Sequence, residues 1–342
     1  MNPWVTDAAW SLDGRRLLVP AVLDGLVRVF EGGVLVDELK RPGGGRLEWT
    51  KPSGIAAVDD GYIVSERSQH LIWLNHALEP FDGLFLDRRA AIDTVAEIAL
   101  FQWAATPHGQ IFMVADVKRD DGGWVPGYHS LELGTESSLQ THLVTKVEDD
   151  DRRFYTRAIP MVAIAAGKGY FLRLEREPYI FAADRPSASL SAFPKRYRQI
   201  PVMPPDQGFG SFRQEMETLA RATMPAGLFG RGDRLYLLTR EPREEGGARW
   251  QLHAIDPVAD RLDHVIELPT RASFLVVAPG PEQWAVLELG PYRDPMPQQD
   301  LDSLLLLPSS WVDDAASPLA AGHAGEAVRC SRATHTSRDS GE

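Results

Sequence analysis

Charged side chains recur in this chain at the ends of short apolar runs, each of which reads as the second strand of a hairpin. The residues that share this position are Glu66, Arg67, Asp116, Arg173, Arg240 and Glu288. A ring of carboxylates and guanidinium groups can hold a polar ligand or a cation, because a concave site concentrates the field of its charges. The alternative is that these charges pair with one another or with loop amides at a solvated rim.

Trp124 is the aromatic residue whose position suggests binding. It lies in the glycine-rich stretch Lys118 to Tyr128, which reads as a long loop. A tryptophan in a loop is not explained by strand packing, so we expect it to line a ligand mouth or a protein contact, together with Arg119, Asp120 and Asp121.

Several other chemistries are disfavoured by the sequence. It contains no His-Glu-x-x-His, Gly-x-Ser-x-Gly or phosphate-binding Gly-x-x-x-x-Gly-Lys pattern, and its histidines have no ligand-like spacing. The single cysteine, Cys330, excludes an internal disulfide and a cysteine-based metal site. Arg231, Gly232 and Asp233 spell an adhesion tripeptide but fall in a predicted hairpin turn, where turn chemistry explains them.

The elements that would position these residues form a repeat. Hairpin-like segments, each with a tight polar turn between two apolar runs, begin at Ala8, Gly54, Gln102, Val162, Ala226 and Phe274. Their turn glycines are Gly14, Gly61, Gly109, Gly169, Gly232 and Gly280, at intervals of 47, 48, 60, 63 and 48 residues. A third apolar run follows each hairpin and a fourth follows most. About four strands per repeat is typical of propeller blades, so we predict an all-β, six-bladed β-propeller over residues 1–312.

Three segments depart from the repeat, the first being residues 147–157, which predict a solvated loop before blade four. Residues 209–222 have helical spacing of apolar residues, with Ser211 as a possible cap, and predict one short inserted helix. Residues 313–342 are small and polar, which predicts a disordered tail. Closure of the ring is left open: blade six is short, or a segment after Val312 adds a strand, or the true N-terminus lies upstream.

The segment from Arg41 to Asn75 resembles an NHL-type repeat. It has a Gly/Pro-rich lead-in, Pro-Ser-Gly, an apolar strand, a glycine turn and Val-x-acid. Glu66 stands where the family has Asp, and Gln69 to Ile72 stand where it has Asn-x-Arg-Ile, whereas Val114 to Asp116 keep the Val-x-Asp pattern. The resemblance implies a propeller similar to bacterial six-bladed proteins, many of them exported and most without an assigned activity.

Composition limits the partners. The formal net charge is −12 without strong basic clusters, so nucleic-acid binding is disfavoured. The longest apolar stretches are too short for a membrane span. We expect a monomer that is cytoplasmic as the sequence is written, and periplasmic or secreted if the true N-terminus lies upstream.

These features predict a non-catalytic module that binds an unknown small molecule or protein at the channel mouth formed by the second-strand loops and the inserted helix, without a metal or cofactor. The alternative is a lactonase-like hydrolase with a divalent cation such as calcium on the propeller axis. Gluconolactonase-like families hold their metal with Glu, Asn and Asp. Glu66, Asp116 and Glu288 can supply carboxylate oxygens, but the only asparagines are Asn2 and Asn75, so the family's Asn ligands have no counterpart.

Overall fold

The chain forms six four-stranded antiparallel sheets, each built from strands that are consecutive in the sequence. They are seen in a computed structural model, which describes residues 7–66, 70–86, 95–133, 138–144, 161–173, 178–197, 222–289, 301–313 and 328–331. We call the sheets blades 1 to 6 in chain order.

Blades 1 to 3 follow the predicted hairpins. Blade 1 contains β1 (Ala9–Trp10), β2 (Arg16–Ala21), β3 (Leu26–Glu31) and β4 (Val34–Lys40). Blade 2 contains β5 (Pro52–Val58), β6 (Gly61–Glu66), β7 (His70–Leu74) and β8 (Pro80–Phe85). Blade 3 contains β9 (Val95–Ala105), β10 (Ile111–Arg119), β11 (Trp124–Glu132) and β12 (Ser138–Val144).

Blades 4 to 6 repeat the same order. Blade 4 contains β13 (Val162–Ala165), β14 (Lys168–Arg173), β15 (Tyr179–Ala182) and β16 (Arg185–Ser189). Blade 5 contains β17 (Met224–Arg231), β18 (Arg234–Pro242), β19 (Ala248–Asp256) and β20 (Arg261–Glu267). Blade 6 contains β21 (Phe274–Pro279), β22 (Gln283–Leu289), β23 (Leu301–Pro308) and β24 (Val328–Ser331). A single turn of 3₁₀ helix spans Lys195–Tyr197, and α1 (Ser309–Asp313) follows β23.

The burial of the strands explains their composition. The second strand of each blade is mostly buried, and apolar residues follow one another without interruption from Leu17 to Ala21 in β2 and from Trp284 to Leu287 in β22. These strands have hydrogen-bonded neighbours on both edges and adjacent blades on both faces, so an alternating pattern is not required. The outermost strand β4 is largely exposed and carries Asp, Glu and Lys, which discourages pairing with other chains at the edge.

The six first strands form a closed ring. Each contacts the first strand of the next blade, and β21 contacts β1. At this last junction the indole Nε1 of Trp10 donates a hydrogen bond to the carbonyl oxygen of Ala278 (3.1 Å). The structure therefore confirms an all-β, six-bladed β-propeller, and the junction of blades 1 and 6 closes through side-chain packing and this hydrogen bond.

One predicted turn is displaced. The hairpin of blade 4 turns at Ala166 and Gly167, whereas Gly169 lies inside β14. A Cβ on Gly169 would stand 2.2 Å from Cδ1 of Phe112 in blade 3. This glycine is needed for close packing between blades, so assigning it to a turn was wrong.

Blade 6 obtains its fourth strand from the C-terminal segment. Within the predicted tail, Val328–Ser331 pairs antiparallel with β23, for example Cys330 opposite Leu304. This is the closure alternative in which a segment after Val312 adds a strand. Apart from Ala222, the predicted helix at 209–222 lies outside the described residues, as does the rest of the tail beyond Asp313. No helix in the described part of the chain is long and apolar enough to cross a membrane.

Candidate functional site

Glu66, the first predicted site residue, is the last residue of β6. Its Oε1 accepts hydrogen bonds from the backbone N–H of Thr50 (3.0 Å) and from the Thr50 hydroxyl (2.7 Å). Its Oε2 lies 3.7 Å from Nδ1 of His70. The carboxylate thus fastens the lead-in segment of blade 2 to its own sheet. Arg67 lies outside the described residues.

Arg240 is a buried cation between blades 5 and 6. Its Nε and Nη1 donate to the carbonyl oxygens of Ser273 (3.2 Å) and Ala222 (3.3 Å). The guanidinium lies 5.8 Å from the ring centroid of Trp250 and 6.0 Å from that of Phe274. Burial lowers its pKa to about 10, because desolvation disfavours the charged form.

Glu288 and Arg173 bind partners close to their own strands. The carboxylate of Glu288 accepts hydrogen bonds from the hydroxyls of Thr270 and Ser303. Nη1 of Arg173 donates to the Tyr179 hydroxyl (2.7 Å), and its guanidinium lies 5.6 Å from that ring. Both side chains therefore contribute to joining strands within or next to their blade.

Asp116 and Trp124 occupy positions that differ from those expected. Asp116 lies in the middle of β10, opposite Pro126, because this strand continues to Arg119. Trp124 is the first residue of β11 rather than part of a loop, and it pairs with Lys118 across the hairpin. Its indole is 46% exposed, with Nζ of Lys118 5.7 Å from the ring centroid. The loop is shorter than predicted because the ladder extends into the Gly-rich stretch.

A metal centre is not assembled by the described residues, where no group of three His, Cys, Asp or Glu side chains is arranged to hold an ion. The divalent cation of the hydrolase alternative therefore stays a prediction. Ligand binding by the predicted rim residues also stays a prediction. Their described contacts join strands and segments of the protein, and they neither support nor contradict binding of a ligand.

The propeller axis holds a cavity of about 860 Å³ that the sequence analysis did not single out. Its wall comes from the first strands of the blades and is rich in small side chains, including Ala9, Ala56 and Ala104. Three larger aromatic residues, Trp10, Trp103 and Phe229, also line it. We call it the axial cavity. None of the seven predicted site residues is among its described lining residues.

The axial cavity reaches the face that carries the turns between first and second strands. Leu12, Pro107, His108, Gly167 and Gly232 from these turns all line it. We call this side the turn face. The sequence analysis expected binding at the mouth formed by the second-strand loops, and the large cavity of the described structure reaches the turn face instead. The sequence feature that indicates this cavity is the pairs of alanines in the first strands, because their small side chains leave the space around the axis unfilled.

Asp7 places a carboxylate on the wall of this cavity, just before β1. Its Oδ2 accepts a hydrogen bond from the backbone N–H of Ile55 in β5 (2.9 Å), and its Oδ1 accepts one from the N–H of Ala8 (2.9 Å). Asp7 is half-buried because part of it faces the cavity. Burial nevertheless raises its pKa to about 7, and the two backbone hydrogen bonds oppose this only in part.

A second, smaller cavity of about 420 Å³ lies on blade 5 near Arg243, Glu267, Thr270 and Arg271. Its charges are already matched, since Glu267 forms ion pairs with Arg243 (2.9 Å) and Arg249 (2.7 Å). The axial cavity is the better candidate for ligand binding because it is larger and its carboxylate has no such partner in the described residues.

Comparison with known proteins supports the fold alone. No family model and no curated protein matches the chain. Two solved structures are similar over 89% of it: U3-55K, with TM-score 0.51, 10% identity and 95% of that chain covered, and the RRP9 WD40 repeats, with TM-score 0.51, 11% identity and 94% covered. The protein is a β-propeller, and at these identities the likeness carries no activity or partner.

Proposed function

We propose that this protein is a non-catalytic binding module that takes a small organic molecule into the axial cavity from the turn face. The observation that carries the proposal is the cavity itself, of about 860 Å³ and lined mainly by small apolar and aromatic residues. Ligand pockets fall between about 300 and 1,000 Å³ and combine an apolar wall with a few polar groups. The resemblance of residues 41–75 to NHL-type repeats is compatible with this role.

The composition of the wall supports binding rather than catalysis. Most of the lining residues are apolar, which suits the body of an organic ligand, and Trp10 and Trp103 are among them. Both indole N–H groups already have acceptors, Ala278 O for Trp10 (3.1 Å) and Ser65 Oγ for Trp103 (3.1 Å). These rings are therefore held in place before a ligand arrives, which reduces the entropy lost on binding.

A fragment screen with a cavity-filling variant tests the proposal. Ligand-observed NMR is run with a library of small aromatic and aliphatic fragments against wild type, Ala56→Phe and Ala188→Phe. Ala56 lines the cavity, and Ala188, exposed on β16, is the matched control. We expect fragments to bind wild type and the control equally, and the Ala56→Phe variant at least about tenfold more weakly.

Unfolding temperatures of the three proteins are compared first, so that a loss of binding is not a loss of folding. Fragments that bind all three folded proteins alike, or an absence of any fragment that binds wild type at millimolar concentration, would refute the axial cavity as a small-molecule site.

A further inference from the structure

The carboxylate of Asp7 is held rigidly on the wall of the axial cavity. Each of its oxygens accepts one backbone N–H, from Ile55 and from Ala8, both at 2.9 Å. A carboxylate has about four lone-pair sites, so each oxygen retains capacity for a further donor. The side chain links the start of blade 1 to the first strand of blade 2 and also presents an acceptor pair to the cavity.

The described residues around Asp7 supply no countercharge. The strands next to it, β1, β5 and β21, contain no charged residue. The other first strands contain only Glu97 in β9 and Arg231 in β17. Within the described residues, no Lys or Arg forms an ion pair with Asp7.

Of the other ionisable groups that line the cavity, His108 and Arg231 have partners, and none forms an ion pair with Asp7 in the described structure. His108 Nδ1 is 2.7 Å from Asp59 Oδ2 at the turn face. Arg231 pairs with the Asp313 carboxylate and donates to Pro281 O (2.7 Å). Glu132 is exposed at the end of β11. These are the titratable groups besides Asp7 in the described lining.

Resting on the function proposed above, we propose that the ligand of the axial cavity is an organic cation, a protonated amine on an apolar or aromatic body, and that Asp7 binds its ammonium group. An ammonium supplies both the missing positive charge and N–H donors for the open lone pairs, and such charge-assisted hydrogen bonds are the strong ones. Trp103 and Phe229, both partly exposed and in the cavity lining, are aromatic residues of the kind that attract cations. An anionic ligand would be repelled by the negative charge of Asp7.

Ligand binding then competes with protonation of Asp7. Burial raises the pKa of this carboxyl to about 7, so near neutral pH a large share of the molecules are protonated and cannot pair with a cation. Affinity for an amine should rise from pH 6 to pH 8 and level off above pH 8. At pH 6, about one unit below the pKa, roughly a tenth of the carboxylate is ionised, so the affinity falls about tenfold.

Three probes that share an indole ring and differ in charge test this inference: tryptamine (positive), indole (neutral) and indole-3-acetate (negative). Affinities are measured by calorimetry at pH 8 and pH 6 for wild type, Asp7→Asn and Asp37→Asn; Asp37, exposed on β4 and outside the cavity lining, is the matched control. At pH 8 we expect wild type and the control to bind tryptamine at least about tenfold more tightly than indole, and indole-3-acetate most weakly.

Asp7→Asn should bind tryptamine and indole alike, at both pH values. Equal affinities of tryptamine and indole for wild type at pH 8, or a tryptamine affinity that does not fall at pH 6, overturn the role of Asp7 while leaving the cavity as a site. Both comparisons use wild type, so they decide the role of Asp7 even if Asp7→Asn does not fold. Failure of all three probes to bind, with Ala56→Phe also without effect on any fragment, counts against the proposed function itself.

Discussion

Replacing Gly230 by alanine tests how tightly the ring of first strands is closed. Gly230 lies in β17 of blade 5, beside β13 of blade 4, and also lines the axial cavity. A Cβ at this position would lie 1.7 Å from the carbonyl oxygen of Ile164 and 2.5 Å from its carbonyl carbon. Both contacts are with main chain, so no change of rotamer can relieve them. Gly230 does not have a positive φ, so the effect reports packing rather than backbone strain.

The expected cost follows from the geometry. Two strands must separate by well over 1 Å to restore an ordinary contact, and a closed ring passes this movement to the other blades. Overpacking of a well-packed interior costs about 1–3 kcal/mol and sometimes more, and main-chain contacts favour the upper end. We expect about 3 kcal/mol, which at roughly 2–4 °C per kcal/mol lowers the unfolding temperature by about 10 °C.

Thermal unfolding followed by circular dichroism measures this loss. Gly44→Ala is the matched control, because a Cβ there meets nothing within 4 Å and its φ is not positive. Its free energy of unfolding should change by less than about 0.5 kcal/mol. A Gly230→Ala protein that unfolds within about 1 °C of wild type would refute the close approach of blades 4 and 5.

Three further outcomes are expected. Trp10→Phe removes the donor to Ala278 O at the junction of blades 1 and 6 and should cost about 1 kcal/mol in urea unfolding; an unchanged midpoint would show that this hydrogen bond does not stabilise the junction. Burial, reinforced by the charge of Arg196, lowers the pKa of His253 to about 4. In the unfolded chain His253 becomes protonated near pH 6.5, whereas in the folded protein it stays neutral down to about pH 4. The stability contributed by neutral His253 is therefore lost as the pH falls from about 6.5 to about 4, by up to about 3 kcal/mol. His253→Gln should flatten that part of the curve of stability against pH, and an equally steep curve would contradict this. Glu288→Gln should lower the free energy of unfolding by about 1–2 kcal/mol, because its hydrogen bonds to two hydroxyl groups are weakened. The affinity of fragments for the axial cavity should stay unchanged within twofold. A large loss of affinity would instead indicate that the ligand binds at the second-strand rim.

The repeat was predictable because turn chemistry is local. Gly109 and Gly232 have φ values of +87° and +58° in their hairpins, a conformation that favours glycine in any fold. The apolar runs around such turns then predicted the strands and their number. Gly169 shows the limit of this reasoning, because a glycine is needed there to leave room for Phe112 of another blade. A contact between residues 57 positions apart leaves no local pattern.

The candidate site was less predictable than the fold. The charged residues at strand ends were visible in the sequence, and their partners were not: Arg240 reaches carbonyl groups of Ala222 and Ser273, both distant in the chain. The sequence does not indicate Asp7 as a site residue, because an aspartate before a short strand is common. Asp7 matters because it lies on the cavity wall next to Ile55. Ile55 donates a backbone N–H to the carboxylate of Asp7 and supplies no positive charge.

The architecture of six repeats of strands and turns can be predicted from the sequence, because strand and turn preferences act over a few residues and the period counts the blades. Which surfaces of the blades face one another depends on the folded structure. Closing the ring turned alanine-rich first strands into the wall of an axial cavity and gave charged residues at the strand ends partners in their own or adjacent blades. It also brought Asp7 to that wall, where no described residue supplies a countercharge. These outcomes depend on contacts between distant blades, where burial sets the cost of a charge.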